Sequence, residues 1–316
     1  MSVYLVEAPK ASCRVSGCAC HERVPRYPLD VTDAQWALLR PEAEAVMAEL
    51  RRSPAGRPME HDLRAVLDAI GYVTRYGIEW RALPVDFPSR GRRCMPFSFG
   101  GTSAVCRKGW WTGCAGGCAP PGADPELPTA GSIDSQSVKA ADTVGAQSRG
   151  YDAGKRINGR KRHVVVDSLG LPLTVIVTAA SVHDRDGAFR LLALLRERFS
   201  TLSLVWADGG YAGRLVTWAH QVLALTVTIV KRSDDTTGFV VLPRRWVVER
   251  TFGWLLRYRR LTRDYERRPE HHEAMVLWAT VTIMTRKLAR TTSSAPPHPR
   301  WGQPRTAASP SDQQAA

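Results

Sequence analysis

The stretch KRHVVVDSLGLPLTVIVTAA, residues 161–180, decides the fold of this chain. It contains two runs rich in Val, Ile and Thr, which favour strands because branched side chains fit a pleated surface. Leu169 and Gly170 lie between the runs, and glycine is typical of tight turns. The stretch therefore predicts a β-hairpin.

Further strands and helices are predicted on both sides of this hairpin. The segment GSIDSQSV at 131–138 has the pattern of a strand, and after the hairpin helices alternate with short apolar strands. The later elements are a helix at 188–199, a strand at 202–207, a helix at 213–223, a strand at 225–230, a helix opened by Pro243 and a helix at 270–288. This order predicts an α/β fold over 130–291, with a mixed sheet flanked by helices.

A small helical domain is predicted before the sheet, at 28–88. Its first helix follows Thr32 and Asp33, either of which can accept hydrogen bonds from the free N–H groups of a first turn. Its second helix carries apolar residues at helical spacing. These residues are Leu63, Val66, Leu67, Ile70 and Val73. The domain is interpreted either as a bundle without a site or as a DNA-binding module, because periodicity does not separate the two.

Two terminal segments show no periodicity. Residues 1–27 are predicted to be an unstructured N-terminus, and the cysteines there match no common zinc-finger spacing. Residues 292–316 are rich in Ser, Pro, Ala, Thr and Gln, a composition typical of a disordered tail.

An irregular linker rich in Gly and Cys is predicted at 89–129. Over 89–121 its composition resembles a GC-rich coding strand translated out of frame, so we hypothesise two compensating frameshifts there. The alternatives are a genuine loop, which would be unusually long, or a metal site that uses Cys114 and Cys118.

The charge of the chain favours nucleic acid as a partner. Lys and Arg total 44 against 30 Asp and Glu, which gives a formal net charge of +14 and a pI near 9.9. No apolar run approaches the roughly 18 residues of a membrane span, and no secretory signal pattern is present. We therefore expect a cytoplasmic, nucleoid-associated protein with reduced thiols and no membrane partner.

Three carboxylates are the candidate catalytic residues. Asp134 lies within the first predicted strand, Asp208 ends the apolar run LSLVWAD, and Glu249 lies in an Arg-rich helix. Carboxylate oxygens are the ligands that Mg²⁺ prefers, and a pair of such ions can activate a nucleophile and stabilise a leaving oxygen in phosphoryl transfer. Taken singly, Asp208 fits a turn or helix cap and Glu249 fits an ion pair. The order D, D, E across these elements is more specific than any one of them.

Two groups of basic residues are predicted to contact DNA phosphates. The first group lies just before and within the second predicted strand: Lys155, Arg156, Arg160, Lys161 and Arg162. The second group surrounds Glu249: Arg244, Arg245, Arg257, Arg260 and Arg263. The alternatives are a solvated loop for the first group and internal ion pairs for the second.

Several other polar and aromatic side chains are expected to cap a helix, fill the core or lie at the surface. Asp184 or Asp186 is expected to cap the helix after the hairpin, and the alternative is that His183 and Asp184 lie near the metal site. Trp246, Phe252 and Trp254 are expected in the core rather than stacked on bases. His271 and His272 are expected at the surface.

These motifs together resemble bacterial insertion-sequence transposases of the DDE class, specifically the IS-five group. The resemblance rests on IDSQSVK at 133–139, GRKRHVVVDSLGL at 159–171, WADGGYAG at 206–213, the segment 244–267, and VTDAQW and GIEWRALPVDFP in the helical domain. It implies a ribonuclease-H-like core in which Asp134, Asp208 and Glu249 are the catalytic triad. It also implies two Mg²⁺ or Mn²⁺ ions as cofactor, held by these three residues.

The resemblance further implies double-stranded DNA as partner, both as terminal inverted repeats and as target, with a homodimer assembled on the DNA. Two positions depart from the signature of related elements, because Leu242 replaces a Tyr and Leu256 replaces a Lys. An inactive copy is therefore one reading of the chain. The alternatives are a ribonuclease-H-like nuclease or resolvase, and a DNA-binding remnant without catalysis.

Overall fold

The computed structural model describes residues 23–51, 62–87, 127–230 and 246–292 of the chain. Within these ranges no helix has both the length and the hydropathy that crossing a bilayer requires. Several predictions lie outside them: those on all seven cysteines, on the frame of 89–121, on Arg244 and Arg245, and on the tail from 293.

A six-stranded mixed sheet forms the centre of the fold. The strands are β1 (Ala130–Lys139), β2 (Gly150–Asp152), β3 (Ile157–Asp167), β4 (Pro172–Ala179), β5 (Leu204–Ala207) and β6 (Thr226–Ile229). Their order is β2-β3-β1-β5-β6, with β4 also paired to β3. β1 runs antiparallel to β3 and parallel to β5. The prediction of a mixed sheet is confirmed, and the short strand β2 was not foreseen.

The predicted hairpin is β3 and β4, and its turn is held by one carboxylate. Asp167 accepts hydrogen bonds of 2.8 Å from the backbone N–H groups of Leu169 and Leu171. Gly170 has φ +82°, a conformation that L side chains rarely adopt. The turn therefore depends on both Asp167 and Gly170.

Helices cover both faces of the sheet. They are α1 (Asp33–Arg51), α2 (Leu63–Tyr76), α3 (Asp184–Arg198), α4 (Arg214–Leu223), α5 (Trp246–Leu255) and α6 (Pro269–Thr292). α3 contacts β3, β4 and α4, whereas α5 contacts β1 and β3. α3 begins four residues earlier than predicted, and Pro243 lies outside the described residues.

The start of α3 corrects the predicted cap. Its N-cap residue is His183, without a side-chain cap hydrogen bond, and Asp184 and Asp186 lie in the first turn. Asp184 Oδ1 lies 2.8 Å from Lys161 Nζ instead. A carboxylate near a helix N-terminus is favoured by the helix dipole, so the first-turn position remains favourable without a cap.

The N-terminal helices share a core with the sheet domain. Thr32 and Gln35 exchange hydrogen bonds at the start of α1, which confirms the predicted cap at Thr32. Val66, Ile70 and Val73 of α2 are buried in one apolar cluster with residues of α6 and the sheet. The domain boundaries stay predictions, but the helical unit packs directly on α6.

The prediction that residues 1–27 are all unstructured is wrong at Arg23, whose side chain is packed against the helical unit. Its guanidinium is 2% exposed and lies 2.6 Å from both Asp30 and Asp68. It also stacks over the Phe87 ring, with 4.2 Å to the centroid. Arg23 therefore ties the chain before α1 to α2 and to the end of the helical unit.

His163 is a buried histidine that makes stability depend on pH. Burial lowers its pKa to about 4, and Lys161 and Lys155 lower it further while Asp184 opposes them. Its Nε2 lies 3.0 Å from Thr178 Oγ1, and its ring fills the space beside Gly187.

We expect the unfolding free energy to fall by about 2–3 kcal/mol from this group alone between pH 7 and pH 4.5. The unfolded histidine titrates near pH 6.5, so protonation below that pH favours the unfolded chain, and the stabilising contribution is complete only above it. Denaturant unfolding of wild type and His163→Gln at both pH values measures the effect. Equal losses in the two proteins would contradict it.

Candidate active site

Asp134 lies in the middle of β1, and Asp208 directly follows the end of the parallel strand β5. Ser132 of β1 lies opposite Trp206 of β5. Extending this register by two residues, just past the end of β5, would set Asp134 beside Asp208 with both side chains on the same face of the sheet. Both residues are half-buried. The fold thus brings together two of the three predicted carboxylates, which are 74 residues apart in sequence.

Each aspartate is oriented by a backbone N–H of a residue one or two positions later in the chain. Asp134 Oδ1 accepts from the N–H of Ser135 at 2.7 Å. Asp208 Oδ1 accepts from the N–H of Gly210 at 2.8 Å, in a 3₁₀ turn over Gly209–Tyr211. These hydrogen bonds hold both carboxylate groups in a fixed orientation.

Glu249 lies in the first turn of α5, on the exposed side of the helix. The opposite side packs against the sheet, where the Thr251 hydroxyl donates to the Gly170 carbonyl at 2.6 Å. The helix that carries Glu249 therefore lies against the strand that carries Asp134. Within the described ranges no three His, Cys, Asp or Glu side chains form a ready-made metal group.

Tyr211 is buried near Asp134 and Asp208, and it was not predicted from the sequence as a site residue. It is 0% exposed and ends the turn that begins at Asp208. Burial raises its pKa well above the ordinary value, and the charges of Asp134, Asp184 and Asp208 raise it further. Three carboxylates therefore lie close enough to act on the Tyr211 hydroxyl, so negative charge is concentrated around this residue. The motif WADGGYAG contained the signal, since Tyr211 follows Asp208 closely.

Polar side chains from the opposite face of the sheet support this edge. The Ser135 hydroxyl lies close to Tyr211 and Asp184, although neither contact has the geometry of a full hydrogen bond. Lys161 Nζ pairs with Asp184 at 2.8 Å and with Asp152 at 3.6 Å. These ion pairs neutralise the charge of Lys161 on the face of the sheet that carries Ser135.

The residues present fit a divalent cation. Asp134 and Asp208 supply oxygen donors, are partly accessible, and come from strands whose register fixes their spacing. Hard cations such as Mg²⁺ and Mn²⁺ take such ligands.

Two predicted phosphate contacts are internal instead, and the prediction is corrected for Arg160 and Arg162. Both are 0% exposed. Arg160 Nη1 pairs with Asp264 at 2.9 Å and also donates to the Glu266 carbonyl. Arg162 donates to Gln136 and to the Leu261 carbonyl. Buried guanidinium groups with protein acceptors are not available to phosphates.

The predicted phosphate contacts of Lys161 and Arg260 are wrong for the same reason, because both side chains are buried in ion pairs. Lys161 is 6% exposed and held by the ion pairs with Asp184 and Asp152, and Arg260 Nη2 lies 2.7 Å from Glu266. Arg263 remains at the surface but donates to the Ala140 carbonyl at 2.9 Å. Among the described members of the two predicted groups, the exposed ones are Lys155, Arg156, Arg257 and Arg263, and Arg244 and Arg245 lie outside the described residues.

The aromatic and histidine predictions are partly wrong. Phe252 is buried as expected, but Trp246 is 40% exposed and its ring stacks with the Arg250 guanidinium at 4.3 Å. Trp254 is half-buried. His272 was expected at the surface, yet it is 1% exposed and its Nδ1 lies 3.2 Å from Asp264.

The fold and the paired aspartates define the class of the protein: the mixed sheet is that of a ribonuclease-H-like DDE domain. Residues 125–284 match the family described as "Transposase DDE domain", and residues 31–97 match "Putative transposase of IS4/5 family". The chain therefore belongs to the DDE transposases of insertion sequences. The predicted resemblance is confirmed.

One similar curated protein is the "Putative transposase for insertion sequence element IS402" of Burkholderia cepacia. It is 32% identical over 143 residues, which is 43% of this chain and 67% of that protein. The family matches leave residues 98–124 uncovered, a stretch within the predicted irregular linker.

Proposed function

We propose that this transposase cleaves the ends of its own insertion sequence and joins them to target DNA, with Asp134, Asp208 and Glu249 as catalytic residues. The proposal is supported chiefly by the β1–β5 register, from which we infer that two partly accessible carboxylates, Asp134 and Asp208, lie side by side. Glu249 completes the set from the helix packed against β1.

Two Mg²⁺ or Mn²⁺ ions bound there would activate the attacking oxygen and stabilise the leaving one. The protein's own contribution is to position the carboxylates that would hold the ions. The N–H groups of Ser135 and Gly210 orient the two aspartates. Lys161 of the neighbouring strand β3 forms ion pairs with Asp152 and Asp184 and so supports β1 from one face. Such preorganisation avoids rearrangement when the DNA arrives.

We further propose double-stranded DNA as the partner, both as terminal inverted repeats and as target, with a homodimer assembled on the DNA at the nucleoid. A net charge of +14 suits a polyanion. A ribonuclease-H-like nuclease or resolvase would use the same carboxylates, and a DNA-binding remnant would keep only the basic surface.

The test is cleavage of labelled duplexes that carry the inverted repeats flanking the gene. We expect Mg²⁺-dependent nicking at the repeat ends, with no cutting of a scrambled duplex of equal length. Cleavage of branched junctions without preference for the repeats would favour the resolvase. Binding without cleavage by the full-length chain in either metal would favour the remnant and overturn the proposal.

A further inference from the structure

Five arginines gather where α2, the turn after α5 and α6 meet. They are Arg75, Arg257, Arg259, Arg286 and Arg290, and we call them the arginine surface. Three of the five are exposed and two are half-buried. They come from three separate elements, so folding brings them together.

Close packing of the backbone creates this arrangement. Gly77, which ends α2 with φ +72°, lies so near the turn that a Cβ there would sit 3.0 Å from the Arg259 side chain. Arg75 Nη1 donates to the Arg257 carbonyl, and Arg286 Nη2 donates to the Pro28 carbonyl at 2.7 Å. These bonds fix two guanidinium groups in orientation and leave most of their N–H donors for other acceptors.

Among the residues that the structure describes, no carboxylate forms an ion pair with the arginine surface. The buried arginines Arg23, Arg160 and Arg260 each pair with a carboxylate, whereas no ion pair found in the described ranges involves the arginine surface. Arg75 and Arg290 instead lower the pKa of Arg286, after burial as the largest cause. Only the phenols of Tyr258 and Tyr76 act in the opposite direction.

Such crowding of like charge is costly unless an anion is bound. An extended polyanion fits better than a small ion, because the residues span three elements rather than lining a closed pocket. Planar guanidinium groups form paired hydrogen bonds with phosphate oxygens.

We propose that the arginine surface binds the phosphate backbone of duplex DNA and so supplies the contacts that the buried Arg160, Arg162 and Arg260 cannot make. The proposal rests on the proposed function only in naming DNA as the polyanion. It places the DNA across the seam between the helical unit and α6.

The test compares two variants that each remove three positive charges. The first is Arg75→Gln/Arg286→Gln/Arg290→Gln. The control, Arg40→Gln/Arg190→Gln/Arg268→Gln, changes exposed arginines elsewhere, two of which face carboxylates. Binding of a fluorescent duplex is measured across salt concentrations, and melting temperatures verify folding.

We expect the first variant to flatten the plot of log affinity against log salt by about two to three units, since each lost phosphate contact removes about 0.9. The control should change it by less than about one unit. Should the triple variant fold poorly, the exposed pair Arg259→Gln/Arg290→Gln should flatten the slope by about two units.

An unchanged slope in the folded variant, or an equal change in the control, would overturn the proposal. A surface for an acidic protein would also leave the DNA slope unchanged. Failure of the proposed catalytic function is distinguishable, because it would abolish cleavage by wild type while leaving this difference in slope intact.

Discussion

Asp134→Asn and Asp208→Asn should each lower the rate of DNA end cleavage by at least about a thousandfold, as removal of essential catalytic groups does in other enzymes. Asparagine keeps the volume and a carbonyl oxygen that can still accept from Ser135 or Gly210. It removes the negative charge that divalent ions require. Cleavage at saturating duplex, measured in single turnover, gives the rate.

DNA affinity should change by less than about threefold in both variants, because phosphate contacts come from Arg and Lys. Asp142→Asn is the matched control, since it makes the same change at an exposed position just after β1. Cleavage by Asp208→Asn at the wild-type rate would remove Asp208 from the catalytic set. An equal loss in the control would point to a general effect of charge.

Arg160→Met should reduce the unfolding free energy by about 3–5 kcal/mol, because it leaves Asp264 charged and buried. Arg160 and Asp264 are both 0% exposed in their side chains. Burial alone would raise the pKa of Asp264, but His272, the Glu266 N–H and Arg160 hold it below the ordinary value. Denaturant unfolding at pH 7 measures the loss, which is a large part of a typical domain's stability.

The double variant Arg160→Met/Asp264→Leu should be more stable than Arg160→Met, because it removes the uncompensated charge. A matched arginine control is Arg40→Met, whose ion pair with Glu44 is about half exposed and should contribute less than about 1 kcal/mol. A loss below about 1 kcal/mol in Arg160→Met would show that the buried pair does not stabilise the fold.

The sequence predicted the sheet well because its strands carry strong local patterns. The hairpin of β3 and β4 has branched residues in both strands and a glycine at its turn, so tertiary contacts were not needed to identify it. Asp134 and Asp208 were found because each lies in a strand with an unusual local motif. That the two lie together could be expected only from the strand order, which a resemblance supplied and with which the parallel pairing of β1 and β5 agrees.

The basic run around Arg160 could not be interpreted from sequence in the same way. Arg160 and Arg162 look like a surface cluster, but their acceptors at Asp264 and Leu261 come about 100 residues later. Both faces of β3 are covered, so alternation between buried and exposed positions is lost. The burial of His272 was missed for the same reason, since its partner is also Asp264.

The most direct test of the catalytic site is the position of bound Mn²⁺. Crystals of wild type with duplex repeat ends, soaked in Mn²⁺, would locate it by anomalous scattering. The account predicts Mn²⁺ within about 2–2.5 Å of carboxylate oxygens of both Asp134 and Asp208, with Glu249 as a ligand of the same centre. Mn²⁺ held at other residues, with Asp134 and Asp208 making no contact to it, would contradict the account.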